Sequence, residues 1–349
     1  MKTNDLKRIL VLVVAVLSLT VSHAADIYYH GAGDIDKDGT LGMSDVTCLI
    51  DLLLTDNAQP CHDVNGDGHV GIADVTGLIR YLLNGGAWPW PATSVTAPEG
   101  AVTYFVNGYP IVMVPVEGGS FMMGSEVSGE KASPVHEVIV SDYSIGLTEV
   151  TNGLWKAVMG VYPSGQDYLF YLSNDDMAAD PGTWEKCRDF IRRLNELTGL
   201  NFHFPTEAQW EYAARGGRYS HGYIYSGSDD LSEVRWTDQT GGYVYLTPVG
   251  QKLPNELGIY DMSGNVNEFC EDNYGGYASL GDMNAPLIDP LRLDEYPDYY
   301  FRMVRGGYCA GLASDCTVTT RAQYHNTISQ VVACGGLRLA LGGGPFFVD

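Results

Sequence analysis

A stretch of 21 residues occurs twice in the chain. Asp34 to Leu54 reads DIDKDGTLGMSDVTCLIDLLL and Asp63 to Leu83 reads DVNGDGHVGIADVTGLIRYLL, with 11 of 21 positions identical at an offset of 29. An internal duplication of this length confines the segment to two copies of one small supersecondary unit. Each copy sets oxygen-bearing side chains at positions 1, 3, 5 and 12 of a loop: Asp34, Asp36, Asp38 and Asp45, then Asp63, Asn65, Asp67 and Asp74. Gly39 and Gly68 hold position 6, where a sharp turn brings the ligands around a single ion. With the carbonyls of Thr40 and His69, each loop offers the oxygen-rich shell that calcium prefers. Apolar residues then recur at helical spacing: Val46, Leu49, Ile50 and Leu53, and Val75, Leu78, Ile79 and Leu82.

Helix breakers precede both loops, Gly31-Ala32-Gly33 and Asn57-Ala58-Gln59-Pro60, and position 12 carries Asp where an EF-hand has Glu. Two loop–helix units without entering helices resemble a dockerin module. The resemblance implies two bound calcium ions and a cohesin-type partner. Met43-Ser44 and Ile72-Ala73 stand at the positions linked to cohesin choice, where a Ser-Thr pattern is familiar.

Lys2, Lys7 and Arg8 precede an apolar run from Ile9 to Val21, and Ser22-His23-Ala24 supplies small residues for cleavage, so residues 1–24 are expected to be a signal peptide. The run is short for a membrane span, and no span is expected after cleavage. The protein is then exported, to an extracellular, cell-surface or periplasmic location, where its seven cysteines can form disulfides. The 43 acidic against 20 basic residues give a formal charge of −23, which argues against nucleic acid and anionic membrane as partners.

The expected organisation is residues 25–84 as an all-α dockerin module, 85–100 as a Pro-, Gly-, Ala- and Thr-rich linker, and 101–349 as one large domain. In the large domain, Ile111 to Val116 and Val138 to Val140 read as strands. One helix is expected from an N-cap at Thr183 to Gly199, burying Phe190, Ile191, Leu194 and Leu197. A second opens with Thr206 and Gln209 as a capping box and presents Trp210, Ala213 and Ala214. From Gly217 to Gly307 few periodic runs occur, and loop is expected.

Four ordered blocks in the large domain resemble the formylglycine-generating enzyme (sulfatase-modifying factor) family: Met113 to Gly124 with Glu149-Val150-Thr151, Phe204 to Gly217, Asn255 to Phe269, and Arg305-Gly306-Gly307 with Gly336-Leu337-Arg338-Leu339. The resemblance runs from about residue 101 to the C-terminus. It implies an α+β fold related to C-type lectins, with little regular secondary structure and bound calcium. It also implies one ion site in this domain, at Asn265, the carbonyl of Val266 and Glu268.

Active members of that family oxidise a sulfatase cysteine to formylglycine, with copper held by two cysteines four and nine residues after the Gly pair. Counted from Gly307, the second position is Cys316 and the first is Gly311; Cys309 lies two residues early, and Tyr308 stands where the family has Ser. The Trp pair of the Asn255 to Phe269 block is replaced by Asn267 and Phe269. On a strand, Cys309 would keep the face but shift its sulfur by ~6–7 Å. Copper(I) needs two converging thiolates, so poor copper binding is expected.

Other catalytic patterns are weak. His136, His203 and His325 form no metal pair, Asp229-Asp230 and Glu271-Asp272 read as solvated loop, and Cys187 reads as a buried mid-helix thiol. Asp142, Tyr143 and the acidic, Tyr-rich stretch 289–300 are candidates for a binding rim. Two functions stay open: a binding scaffold for a protein or glycan, and a sulfatase-maturing oxidase that uses Cys316 and a displaced Cys309.

Overall fold

A computed structural model of the chain describes residues 43–55, 75, 79, 95–127, 131–163, 175–235, 246–293, 301–325 and 334–343. The signal peptide, most of the linker, part of the Tyr-rich stretch and every calcium-loop residue except Asp45 lie outside the described residues. The chain divides into two units, residues 1–93 with 104–110, and residues 94–103 with 111–349.

In the first unit, helix α1 (Met43–Leu54) buries Asp45, Val46, Leu49 and Ile50. Its i, i+3, i+4 spacing is the one read from the repeat. Val75, the counterpart of Val46 in the second copy, is likewise buried. Strands β1 (Val102–Val106) and β2 (Tyr109–Val116), whose residues fall partly in each unit, flank Asn107 and Gly108, both at positive φ (47° and 77°). Asn-Gly is the pair a two-residue hairpin turn favours, because both central residues must adopt the left-handed region.

The second unit continues with β3 (Gly119–Met123), β4 (His136–Val140), β5 (Tyr143–Gly146), α2 (Asn152–Met159) and α3 (Trp184–Thr198). Then come β6 (Phe202–His203), α4 (Glu207–Ala214), α5 (Leu231–Val234), β7 (Asn267–Asn273) and β8 (Leu287–Ile288). β9 (Phe301–Arg305), β10 (Ala322–His325), β11 (Gly335–Gly336) and β12 (Ala340–Leu341) complete it. One sheet includes β2, β5, β12 and β6 in that order, a second runs β10-β9-β7-β11, and a third β3-β4-β8. The fold is a mixed α+β arrangement of short, curled sheets with few helices, as the family resemblance implied.

Capping sets the helices. Thr183 accepts from the Lys186 N–H, and α3 stops at Gly199 in the left-handed region. Phe190, Ile191 and Leu194 are buried as expected, but Leu197 is 37% exposed, because it falls in the last turn beyond the packed stripe. Cys187 is buried mid-helix. In α4 the capping box forms in full, Thr206 Oγ1 accepting from Gln209 N (3.1 Å) and Gln209 Oε1 from Thr206 N (2.9 Å).

Helix α4 is buried on every side, its Glu207 and Glu211 included. Each buried carboxylate meets arginine: Arg321 binds Glu207 through Nε (2.6 Å) and Nη2 (2.7 Å), and Arg305 and Arg215 bind Glu211. Burial of charge is tolerable only with such pairing. β7 and β9 form the middle of their sheet, inside the stretch expected to be loop. β7 reads NEFCEDN, and its Glu268 and Asp272 are buried while Glu271 is half-buried. Asp272 accepts from the N–H groups of Glu207 (2.7 Å) and Arg292 (2.9 Å), which corrects the solvated-loop expectation for Glu271-Asp272. Asp229 and Asp230 are exposed as expected.

Candidate functional site

β9 delivers the chain into Arg305-Gly306-Gly307, where both glycines have positive φ (89° and 73°). A Cβ on Gly307 would lie 2.7 Å from Cys316 Sγ and from the Asp315 carbonyl oxygen, so only glycine lets the Cys316 turn pack beneath this loop. Residues 306–312 are irregular, not strand, and the Tyr308 carbonyl accepts from the Gly311 N–H (2.9 Å) in a turn. The strand-based displacement expected for Cys309 therefore does not apply.

Arg235 closes this loop from below. It follows α5, is nearly fully buried, and donates from Nη1 to Cys316 Sγ (3.0 Å) and from Nη2 to the carbonyls of Gly311 (3.0 Å) and Cys309. Gly264 (φ 107°) makes room for it, since a Cβ there would lie 2.5 Å from Arg235 Cδ. Burial pushes the Cys316 thiol up to about 11, and the neighbouring guanidinium only partly opposes this. A Cβ on Gly311 would meet the Tyr308 ring at 3.2 Å.

Cys309 turns to another partner. Its N–H donates to the Asn265 carbonyl (2.9 Å), and its Sγ lies 3.5 Å from Cys334 Sγ. Cys334 sits at φ 73°, and its N–H and that of Gly335 both donate to the Asp180 carboxylate at 2.9 Å. Ala178, Val249 and Val266 pack around the two sulfurs.

The donors expected to hold calcium in this domain are brought together only in part. Asn265 (φ 58°) donates from Nδ2 to Glu149 Oε2 (3.2 Å), and the Val266 N–H donates to Glu149 Oε1 (3.3 Å). Glu268 instead gives both carboxylate oxygens to Arg338 and accepts from Trp210 Nε1 (2.7 Å). Burial, with Asp261 and Glu268 adding like charge, holds the Glu149 carboxyl well above the ordinary carboxylate range.

Cys309 and Cys316, the two cysteines weighed as copper ligands, do not face one another among the described residues. Cys316 carries a guanidinium on its sulfur, Gly311 offers no ligand, and Cys309 faces Cys334; two thiolates on one ion are what copper(I) would require. Arg235, Cys334 and Glu149 were not singled out as site residues in the sequence. Each lies more than 20 residues from the groups it meets, and only the Glu149-Val150-Thr151 motif carried a local signal. His136 is buried against Tyr277 (ring centroids 4.6 Å apart), and His203 lies between the carbonyls of Phe204 and Gly342, so neither faces this loop.

The sulfatase-modifying factor enzyme 1-like domain matches residues 108–341, and a dockerin type I domain matches residues 32–83. The chain belongs to the sulfatase-modifying factor family and carries a dockerin type I module ahead of that domain. It is 33% identical over 201 residues to the chaperone protein LppX of Paenibacillus barcinonensis, covering 45% of this chain and 70% of that one. It is 32% identical over 240 residues to the formylglycine-generating enzyme of Mycobacterium tuberculosis, covering 52% and 80%. Among solved structures, Treponema denticola variable protein 1 superposes with a TM-score of 0.58 at 24% identity, over 70% of this chain and 99% of that one, a likeness of fold.

Proposed function

We propose that this is an exported, cohesin-anchored member of the sulfatase-modifying factor family whose large domain serves as a binding scaffold rather than as a copper oxidase. One observation carries the reading: the Arg235 guanidinium donates to Cys316 Sγ (3.0 Å), while the partner position is Gly311. A fixed cation on the thiol disfavours a second cation there. The dockerin module supports calcium binding and a cohesin-type partner, and such modules support an extracellular or cell-surface location. Asp45, position 12 of the first loop and in the first turn of α1, is fully buried, a position that suits a carboxylate committed to the loop. Across the described residues, no helix is long and apolar enough to cross a membrane.

The test is copper(I) stoichiometry on the purified full chain, followed by incubation with a peptide carrying Cys-x-Pro-x-Arg under oxygen. The scaffold reading expects no stoichiometric copper and no aldehyde by mass spectrometry. An aldehyde product would establish the oxidase reading, with Cys316 and Cys309 as its thiols.

A further inference from the structure

We propose that Cys309 and Cys334 form a disulfide in the mature protein, a covalent clasp between the Gly-Gly loop and the segment that enters β11. Their sulfurs lie 3.5 Å apart, and both cysteines belong to one buried cluster with Ala178, Val249 and Val266. Bond formation shortens that separation to about 2.05 Å, a movement within the reach of small side-chain rotations. The backbone on both sides is already pinned. The Cys309 N–H is held by the Asn265 carbonyl, and the Cys334 N–H by Asp180. β11 is in turn held to β7 in parallel register, Gly335 opposite Asn267 and Gly336 opposite Glu268. The two cysteines are therefore presented to one another by the fold rather than brought together by chance encounter.

The chemistry balances with a disulfide oxidant such as glutathione disulfide or an exported thiol–disulfide oxidoreductase. One cysteine thiolate attacks the oxidant disulfide and forms a mixed disulfide, releasing one thiol. The second cysteine thiolate then displaces the remaining thiol, so two protein thiols lose two hydrogens and one oxidant disulfide gains them. Cys334 donating its S–H toward Cys309 eases ionisation of Cys309, which suits it to the first attack. The clasp closes a segment that contains Cys316 and leaves that thiol free beside Arg235. Cross-linking a segment of this length restricts the unfolded chain and adds stability.

The experiment uses the full chain equilibrated in a glutathione disulfide/glutathione buffer, denatured and alkylated without reductant, then digested and analysed by mass spectrometry. The expected species joins the Cys309 peptide to the Cys334 peptide at two hydrogen masses below their sum, with Cys316 alkylated. Reduction should lower the Tm of the large domain by about 6–10 °C, and Cys309→Ser should start at the lower value and not respond to reductant. Alkylation of both cysteines in the oxidising buffer, or a Cys309–Cys316 link, would overturn the proposal. It stands apart from the scaffold reading: copper uptake by Cys316 with the cross-link intact would sink that reading and leave this one standing.

Discussion

Single side chains in this domain are set by burial more than by local sequence, and Asp272 shows the consequence. Its carboxyl is pushed up to about 7, first by burial and then by the neighbouring charge of Glu207, although two backbone N–H groups oppose the shift. An acid whose folded-state value lies above its unfolded one binds more protons when folded. Stability therefore falls as the pH rises from about 4 to 7. Asp261, raised by burial to about 6, adds in the same direction. The large domain should thus melt higher at pH 5 than at pH 7.5, and Asp272→Asn should flatten that slope even while lowering both values. A slope unchanged by the substitution would count against this. The Tyr308 ring supplies a second expectation at this scale. Gly311→Cys alone should gain little copper(I) affinity, since its Cβ meets that ring at 3.2 Å. Gly311→Cys with Tyr308→Ser should bind at least about tenfold tighter in competition with a copper(I) chelator, because a second thiolate then has room to turn toward Cys316. Equal affinities would show that the ring is no obstacle. The absence of the family cysteine at Gly311 was legible through the family resemblance, counted from the Gly pair; the guanidinium on Cys316 was not, because 81 residues separate the two.

Two helices with strong end signals were legible, whereas α2, capped by Thr151 and Gly160, and strands whose charges face inward were not. Thr183 and Gly199 bound α3, and the Thr206–Gln209 box bounds the start of α4, because capping is a contract between residues three apart. Thr206→Ala removes the acceptor for the buried Gln209 N–H and should cost ~1 kcal/mol, read as a lower denaturation midpoint with ligand binding unchanged. Altered binding at an unchanged midpoint would make Thr206 a site residue instead. β7 escaped because strand recognition looks for alternation of apolar and polar residues. Its Glu268 and Asp272 are buried, held by Arg338 and by the start of α4. The same inversion holds for α4, where Glu207 and Glu211 look like a solvent face until Arg321 and Arg305 arrive from over 90 residues downstream. Local pattern cannot report a pairing that only the tertiary fold supplies. The resemblance to a family did report it indirectly, since the blocks holding Glu207, Arg305 and Arg338 were the ones recognised.

At the scale of the whole chain, the duplication and the family blocks were each sufficient to assign their own segment, and the two answers call for different physics. The large domain holds itself together with buried ion pairs and sheets. The repeat is a short segment, and Val46, Leu49, Ile50 and Val75 are the buried apolar side chains among its described residues. Small modules of this kind commonly need ions to fold, because ligand carboxylates that converge without a cation repel one another. Asp34→Ala with Asp63→Ala removes position 1 of both loops in the full chain. That double variant should lose the calcium-dependent thermal transition and the binding of a cohesin-type partner, while the transition of the large domain and its pH slope stay as in the parent. A chelator should reproduce both losses in the unsubstituted chain, and restored calcium should reverse them there but not in the variant. Calorimetry in which the double variant keeps its calcium-dependent transition would show that the loops do not hold the ions, and that the module folds by other means.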